Sequence, residues 1–134
     1  MQVEKDCGGY VLVVDDEGEL AEMMGAWVRS TGYEVVVKED PREALLAVKQ
    51  KKLEGVHLCA VLSDYNMPNM MGSELIDGIL AESPGTKVAF VTGSNGQLLE
   101  DFAAKHQVLV IEKPDIFQPV IRFVEELRRN CKGV

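Results

Sequence analysis

Apolar positions along the chain follow two alternating rhythms. Short, nearly continuous apolar runs at 10–14 (YVLVV), 58–63 (LCAVLS), 87–91 (KVAFV) and 108–111 (VLVI) have the length and composition of strands buried on both faces. The run at 34–37 (EVVV) is more mixed and suits a sheet edge. Between the strands the period lengthens. Leu20, Met23, Met24, Trp27 and Val28 recur at three- and four-residue spacing, one helical stripe that assigns Trp27 to the core. The segment "DPREAL" opens a second helix, with Asp40 as its cap and Pro41 in the first turn, where a missing N–H is tolerated. Leu75, Ile76, Ile79 and Leu80 mark a third helix, and Leu98, Leu99 and Phe102 a shorter fourth. Phe117, Val120, Ile121, Val124 and Leu127 mark a fifth, whose "RRNCKG" end carries cations suited to a helix C-terminus. The alternation predicts an α/β fold, a doubly wound parallel sheet of five strands with five crossover helices.

Length and charge narrow this picture. The 134 residues suit one compact domain over 1–134, with its core at about 10–130. No linker, repeat or low-complexity tract is visible, and no room is expected for an output domain. A net charge of -8 argues against a broad basic face, so no direct nucleic-acid partner is expected. No apolar run is long enough to cross a bilayer, and "MQVEKDCGGY" lacks the basic-then-apolar order of a secretory signal. A cytoplasmic location and no membrane partner are therefore expected. Cys7, Cys59 and Cys131 are too widely separated for a disulfide framework or close-spaced zinc ligands. Cys59 reads as a small core residue, and Cys7 and Cys131 as incidental thiols near the termini.

Ligands of doubly wound sheets bind beyond the carboxyl ends of the strands. The first strand delivers Asp15 and Asp16 to that rim, the third Asp64, the fourth Thr92 and the fifth Lys113. Any one of these has an ordinary reading as a cap or a solvated loop residue; their arrival at one rim does not. Two unit charges at about 4 Å repel by roughly 4 kcal/mol at an effective dielectric of 20, so three converging carboxylates require a positive partner. Lys113 supplies one charge, and a divalent cation can supply the rest. An all-oxygen donor set of carboxylates, a backbone carbonyl and water suits Mg²⁺. A carboxylate beside Mg²⁺, a lysine and a hydroxyl forms a phosphoryl-accepting site.

The motifs "VDDE" at 14–17, "SDYNMPNMMG" at 63–72, "VTGS" at 91–94 and "EKP" at 112–114 resemble the receiver domain of two-component response regulators, over about residues 10–130. The resemblance implies a flavodoxin-like (CheY-like) strand order 2-1-3-4-5. It implies that Asp64 is the phosphoacceptor and that Thr92 and Lys113 contact the phosphoryl oxygens. Asp16 would bind Mg²⁺ directly, Asp15 largely through water, and the main-chain carbonyl of Asn66 would complete the protein ligands. The bond before Pro114 would be cis, and Pro68 and Gly72 match the turn into the third helix. The implied donor is a histidine kinase or histidine phosphotransfer protein. A downstream protein would read the surface of helix 4, strand 5 and helix 5, and a homodimer is left open.

The chain departs from the family pattern at Val110, where many receivers carry a Tyr or Phe that rotates inward on activation. His106 and Gln107 replace a frequent Gly-Ala pair, and Asp115 follows Pro114 where Phe is common. These departures bear on switching; the acceptor residues are all present. They motivate one competing reading, a phosphorylation-independent interaction module. An FMN-binding flavodoxin is rejected because "DDEGE" would face the cofactor phosphate with carboxylates. An aspartyl-phosphate hydrolase needs an acid-base Asp where Asn66 stands, so only slow self-dephosphorylation is expected, tuned by Asn66 and Ser94. His57 and His106 do not fall on the rim, and Met67, Met70 and Met71 read as core cover.

Overall fold

The computed structural model describes residues 8–132. Five strands alternate with five helices: β1 (Gly9–Val14), α1 (Gly18–Ser30), β2 (Glu34–Lys38), α2 (Pro41–Leu53), β3 (His57–Ser63), α3 (Gly72–Glu82), β4 (Lys87–Thr92), α4 (Gln97–His106), β5 (Leu109–Glu112) and α5 (Phe117–Lys132). The strands form one sheet in the order β2-β1-β3-β4-β5, with every pairing parallel. This is the order expected from the motifs, and β2 lies at an edge.

Period-2 alternation along the strands splits the interior into two cores. Tyr10, Leu12 and Val14 of β1 point to a core closed by Ala44 and Val48 of α2, Leu75, Ile76 and Ile79 of α3, and Leu99 and Ala103 of α4. Val11 and Val13 point the other way, to Ala21, Met24 and Val28 of α1 and Val120, Val124 and Leu127 of α5. Central strands covered on both faces need apolar residues at consecutive positions, which explains the unbroken runs. Cys59 is buried as expected. Cys7 and the side chain of Cys131 lie outside the described residues.

The helical stripes are narrower than their apolar content suggests. Met23 is 46% exposed and Leu98 80% exposed, although both fall on predicted stripes. On α1 the face against the sheet instead uses small residues, Ala21 and Gly25. A Cβ on Gly25 would lie 2.6 Å from Val37 Cγ2, so the helix seats more closely than larger side chains allow. Trp27 is half-buried and meets Phe117 edge-on at 4.9 Å between ring centroids. The fifth strand starts at Leu109 rather than 108. Gln107 takes a left-handed conformation (φ 58°) that ends α4, and the Val108 N–H donates to the Ala103 carbonyl at 2.8 Å, so this residue closes the helix. Asp40 caps α2 as predicted, its carboxylate accepting the Arg42 N–H at 2.8 Å. Among the described residues no helix is long and apolar enough to cross a membrane.

Candidate functional site

The carboxyl ends of β1, β3, β4 and β5 share one edge of the sheet, and backbone hydrogen bonds fix the residue that follows three of them. The Asp64 N–H donates to the Val14 carbonyl at 3.0 Å, the Asp15 N–H to Lys38 at 3.2 Å, and the Lys113 N–H to Thr92 at 3.0 Å. Parallel pairing therefore continues just past the strands and brings the acidic residues together. One carboxylate oxygen from each of Asp15, Asp16 and Asp64 lies within 4.8 Å of the others. Asp15 is fully buried, Asp64 is 7% exposed and Asp16 faces solvent.

Lys113 is the cation of this cluster. Its Nζ lies 3.1 Å from Asp15 Oδ2, 3.1 Å from Glu17 Oε1 and 3.2 Å from Asp64 Oδ2, so three carboxylates surround an ammonium with three protons. Burial alone depresses a lysine pKa. Here the close contacts with Asp15 and Glu17 and the charges of Asp15 and Asp64 outweigh it and raise the Lys113 pKa above its ordinary value. Asp15 is pushed up, chiefly by burial, against the Glu17 N–H donating to its Oδ1 at 2.9 Å and the nearby lysine. Its Oδ2, though close to Lys113, has no hydrogen bond of proper geometry among the described residues. A buried carboxylate oxygen with a free lone pair, beside two further carboxylates, fits a hard divalent cation.

The loop that carries Asp64 is held from below. The Tyr65 N–H donates to Asp64 Oδ1 at 2.7 Å, and the Ser63 hydroxyl donates to the Asp64 carbonyl at 2.8 Å. The Gly72 N–H donates to the Tyr65 carbonyl at 2.7 Å. A Cβ at Gly72 would stand 2.5 Å from the Asp64 carbonyl oxygen and 2.8 Å from Tyr65 Cα, so a side chain there would displace the loop. Thr92 is fully buried at the end of β4, and its hydroxyl accepts the Ser94 N–H at 3.1 Å. The Asn66 amide donates to the Ser94 hydroxyl, which links the loops after β3 and β4 across the site. The Lys113–Pro114 bond is cis.

The residues expected at the rim, Asp15, Asp16, Asp64, Thr92 and Lys113, all sit at this edge. His57 stands at the start of β3, and His106 stacks on Phe102 at 4.3 Å with Asp77 at 3.7 Å, both outside the cluster. Met67 is buried and Met70 packs on the same core, as cover. Glu17 and Ser63 were not singled out from the sequence. The signal for Glu17 was its place two residues after Asp15 in a row of acids; Ser63 looked like any strand residue.

A family model described as the response regulator receiver domain matches residues 11–119. The chain belongs to the response regulator receiver domain family. That membership places it in phosphorelay two-component signal transduction. It is 32% identical to the transcriptional regulatory protein GlrR of Escherichia coli (strain K12) over 98 residues, 73% of this chain and 21% of that protein. The chain spans from 21% to 52% of the length of the curated relatives it matches first. In fold it resembles a CheY-like receiver domain protein of Methanospirillum hungatei JF-1, with TM-score 0.81, 23% identity, and 93% and 97% of the two chains covered. It also resembles a chain of a CheX-CheY-BeF3-Mg+2 complex from Borrelia burgdorferi, with TM-score 0.74, 20% identity, and 94% and 90% covered.

Proposed function

We propose that Asp64 accepts a phosphoryl group from a phosphohistidine of a histidine kinase or histidine phosphotransfer protein, and that the resulting aspartyl phosphate changes partner binding. The observation that carries this is the nearly buried Asp64 carboxylate, in reach of two further carboxylates and 3.2 Å from Lys113. A carboxylate oxygen of Asp64 forms the new P–O bond as the P–N bond breaks, and the imidazole keeps that electron pair. Lys113 then has a phosphoryl oxygen to pair with in addition to Asp15 and Glu17. Thr92, already oriented by the Ser94 N–H, donates its hydroxyl to a second phosphoryl oxygen.

Asp15, Asp16, Asp64 and the main-chain carbonyl of Asn66 would hold Mg²⁺, with Asp16 bound directly and Asp15 largely through water. When bound, the ion neutralises charge on the transferring oxygens. The Mg²⁺ and beryllofluoride named for the Borrelia complex support this choice of ion by analogy of fold. Hydrolysis by the domain itself is slow, because Asn66 offers no acid-base carboxylate next to the acceptor.

The output surface is read as α4, β5 and α5, by family likeness. Val110 carries no aromatic ring to rotate, so the signal must leave by another packing change. The intact acceptor set favours this reading over a phosphorylation-independent interaction module. Acetyl phosphate with Mg²⁺ should label Asp64, seen as a mass increase that hydroxylamine removes. Labelling that persists in Asp64→Ala would overturn the assignment.

A further inference from the structure

A groove of about 840 Å³ runs over β5 between α4 and α5. Its floor and walls are apolar at Leu99, Leu109, Val110, Pro119 and Phe123. Leu109 is 48% exposed, which a strand residue in a closed core would not be. The rim has the opposite character. Glu100, Glu112, Asp115 and Glu126 line it and all face solvent, against Arg122. Lys113 also lines the groove, but its ammonium is turned to Asp15, Glu17 and Asp64. Glu126 has Arg129 at 3.5 Å, an exposed pair that solvent screens and that leaves the carboxylate open to competition.

An apolar trough with an acidic rim is complementary to a helix with one apolar face flanked by cations. A second copy of this chain is a poor occupant, because its net charge of -8 would meet a negative rim. Val110 adds a constraint on shape. A valine covers less of the groove floor than an aromatic ring would, so space remains for a large side chain brought by the partner.

We propose that the groove over β5 receives a cationic amphipathic helix of a partner protein, which sets Lys or Arg side chains against Glu112, Asp115 and Glu126 and one large apolar side chain over Val110. This rests on the reading of α4, β5 and α5 as the output surface and adds the chemistry of the partner. Supplied from outside, the large side chain would do at Val110 what an internal aromatic ring does in other receivers.

The test uses ¹⁵N-labelled full chain and two helical peptides of about 18 residues, long enough to hold helix. One is built of Leu and Lys with a single Phe on its apolar face, and the other has Glu for every Lys. The lysine peptide should bind about tenfold tighter or better, with amide shifts centred on β5 and the first turns of α5 and affinity falling as salt rises. Val110→Phe should weaken it by about tenfold by filling the floor. The double variant Glu112→Gln/Glu126→Gln should weaken the lysine peptide and should not weaken the glutamate peptide, whose repulsion by the rim it reduces. Equal binding of the two peptides, shifts centred elsewhere, or no lysine-peptide binding in either untreated or beryllofluoride-treated protein would overturn the proposal. The same titration on Asp64→Ala separates the two readings. Retained peptide binding there stands whatever acetyl phosphate reveals about the acceptor.

Discussion

Lys113 Nζ lies 3.2 Å from Asp64 Oδ2, joining side chains 49 positions apart in the sequence. The same ammonium reaches Asp15 and Glu17, and its side chain is only 18% exposed. Removing it would leave a buried Asp15 and a nearly buried Asp64 without a cation. Lys113→Gln should therefore lower stability in metal-free buffer by about 1–3 kcal/mol, less than a fully buried pair because solvent reaches part of the cluster. Millimolar Mg²⁺ should recover part of the loss, since it binds only the folded site. Urea melts with and without Mg²⁺ measure both; an unchanged midpoint in metal-free buffer would show that the lysine does not hold the cluster.

Asp15 and Asp16 differ in setting although they are adjacent. Asp15 is fully buried and engaged by Lys113 and the Glu17 N–H, whereas Asp16 faces solvent. Asp16→Ala should weaken Mg²⁺ binding by at least about tenfold, and by more than Asp15→Ala does, when followed by calorimetric titration. An equal or reversed order would show that this division between a direct and an outer ligand is wrong.

Gly72 packs against the backbone of Asp64 and Tyr65 without belonging to the charged cluster. With a Cβ only 2.5 Å from the Asp64 carbonyl oxygen, Gly72→Ala must push the loop or the start of α3 aside. A loss of about 1–3 kcal/mol is expected, together with slower acetyl phosphate labelling of Asp64. Wild-type values for both would show that the loop yields freely.

The Asn66 amide and the Ser94 hydroxyl join the loops after β3 and β4, two residues beyond Asp64 and Thr92. Breaking this bridge with Ser94→Ala should open the site to water and shorten the lifetime of the acyl phosphate severalfold, followed by release of inorganic phosphate. The rate of label uptake should change less, because Asp64, Lys113 and the carboxylates are untouched. A lifetime equal to that of wild type would assign the bridge no part in water access.

At the other end of β1, the Tyr10 hydroxyl is buried with no hydrogen-bond partner among the described residues. Burial pushes its pKa up from 10.0 to about 12. The folded state thus holds the phenol proton more tightly than the unfolded state. The stability linked to that proton is fully present below pH 10 and is lost as pH rises through about 12. Tyr10→Phe should gain about 1 kcal/mol at neutral pH by removing an unsatisfied group, and should flatten the alkaline decline. Urea melts at pH 8 and 11 compare the two; a less stable variant at neutral pH would mean that the hydroxyl has an unseen partner.

The sequence by itself determined most of the sheet and the identity of the candidate site. Strands buried on both faces must be apolar at every position, so β1, β3 and β4 were visible as unbroken runs. The residue after each run fell on the ligand-binding edge by the geometry of parallel sheets, which made Asp15, Asp16, Asp64, Thr92 and Lys113 legible together. What the tertiary structure decided depends on contacts between distant positions. Lys113 and Glu17 are 96 residues apart, and no local period reports such a pair. Met23 and Leu98 looked like core residues because apolar spacing records which face of a helix is apolar, not how far the sheet extends beneath it. The acidic rim around Val110 came from α4, the end of β5, the loop after it and α5 only once the fold placed them side by side.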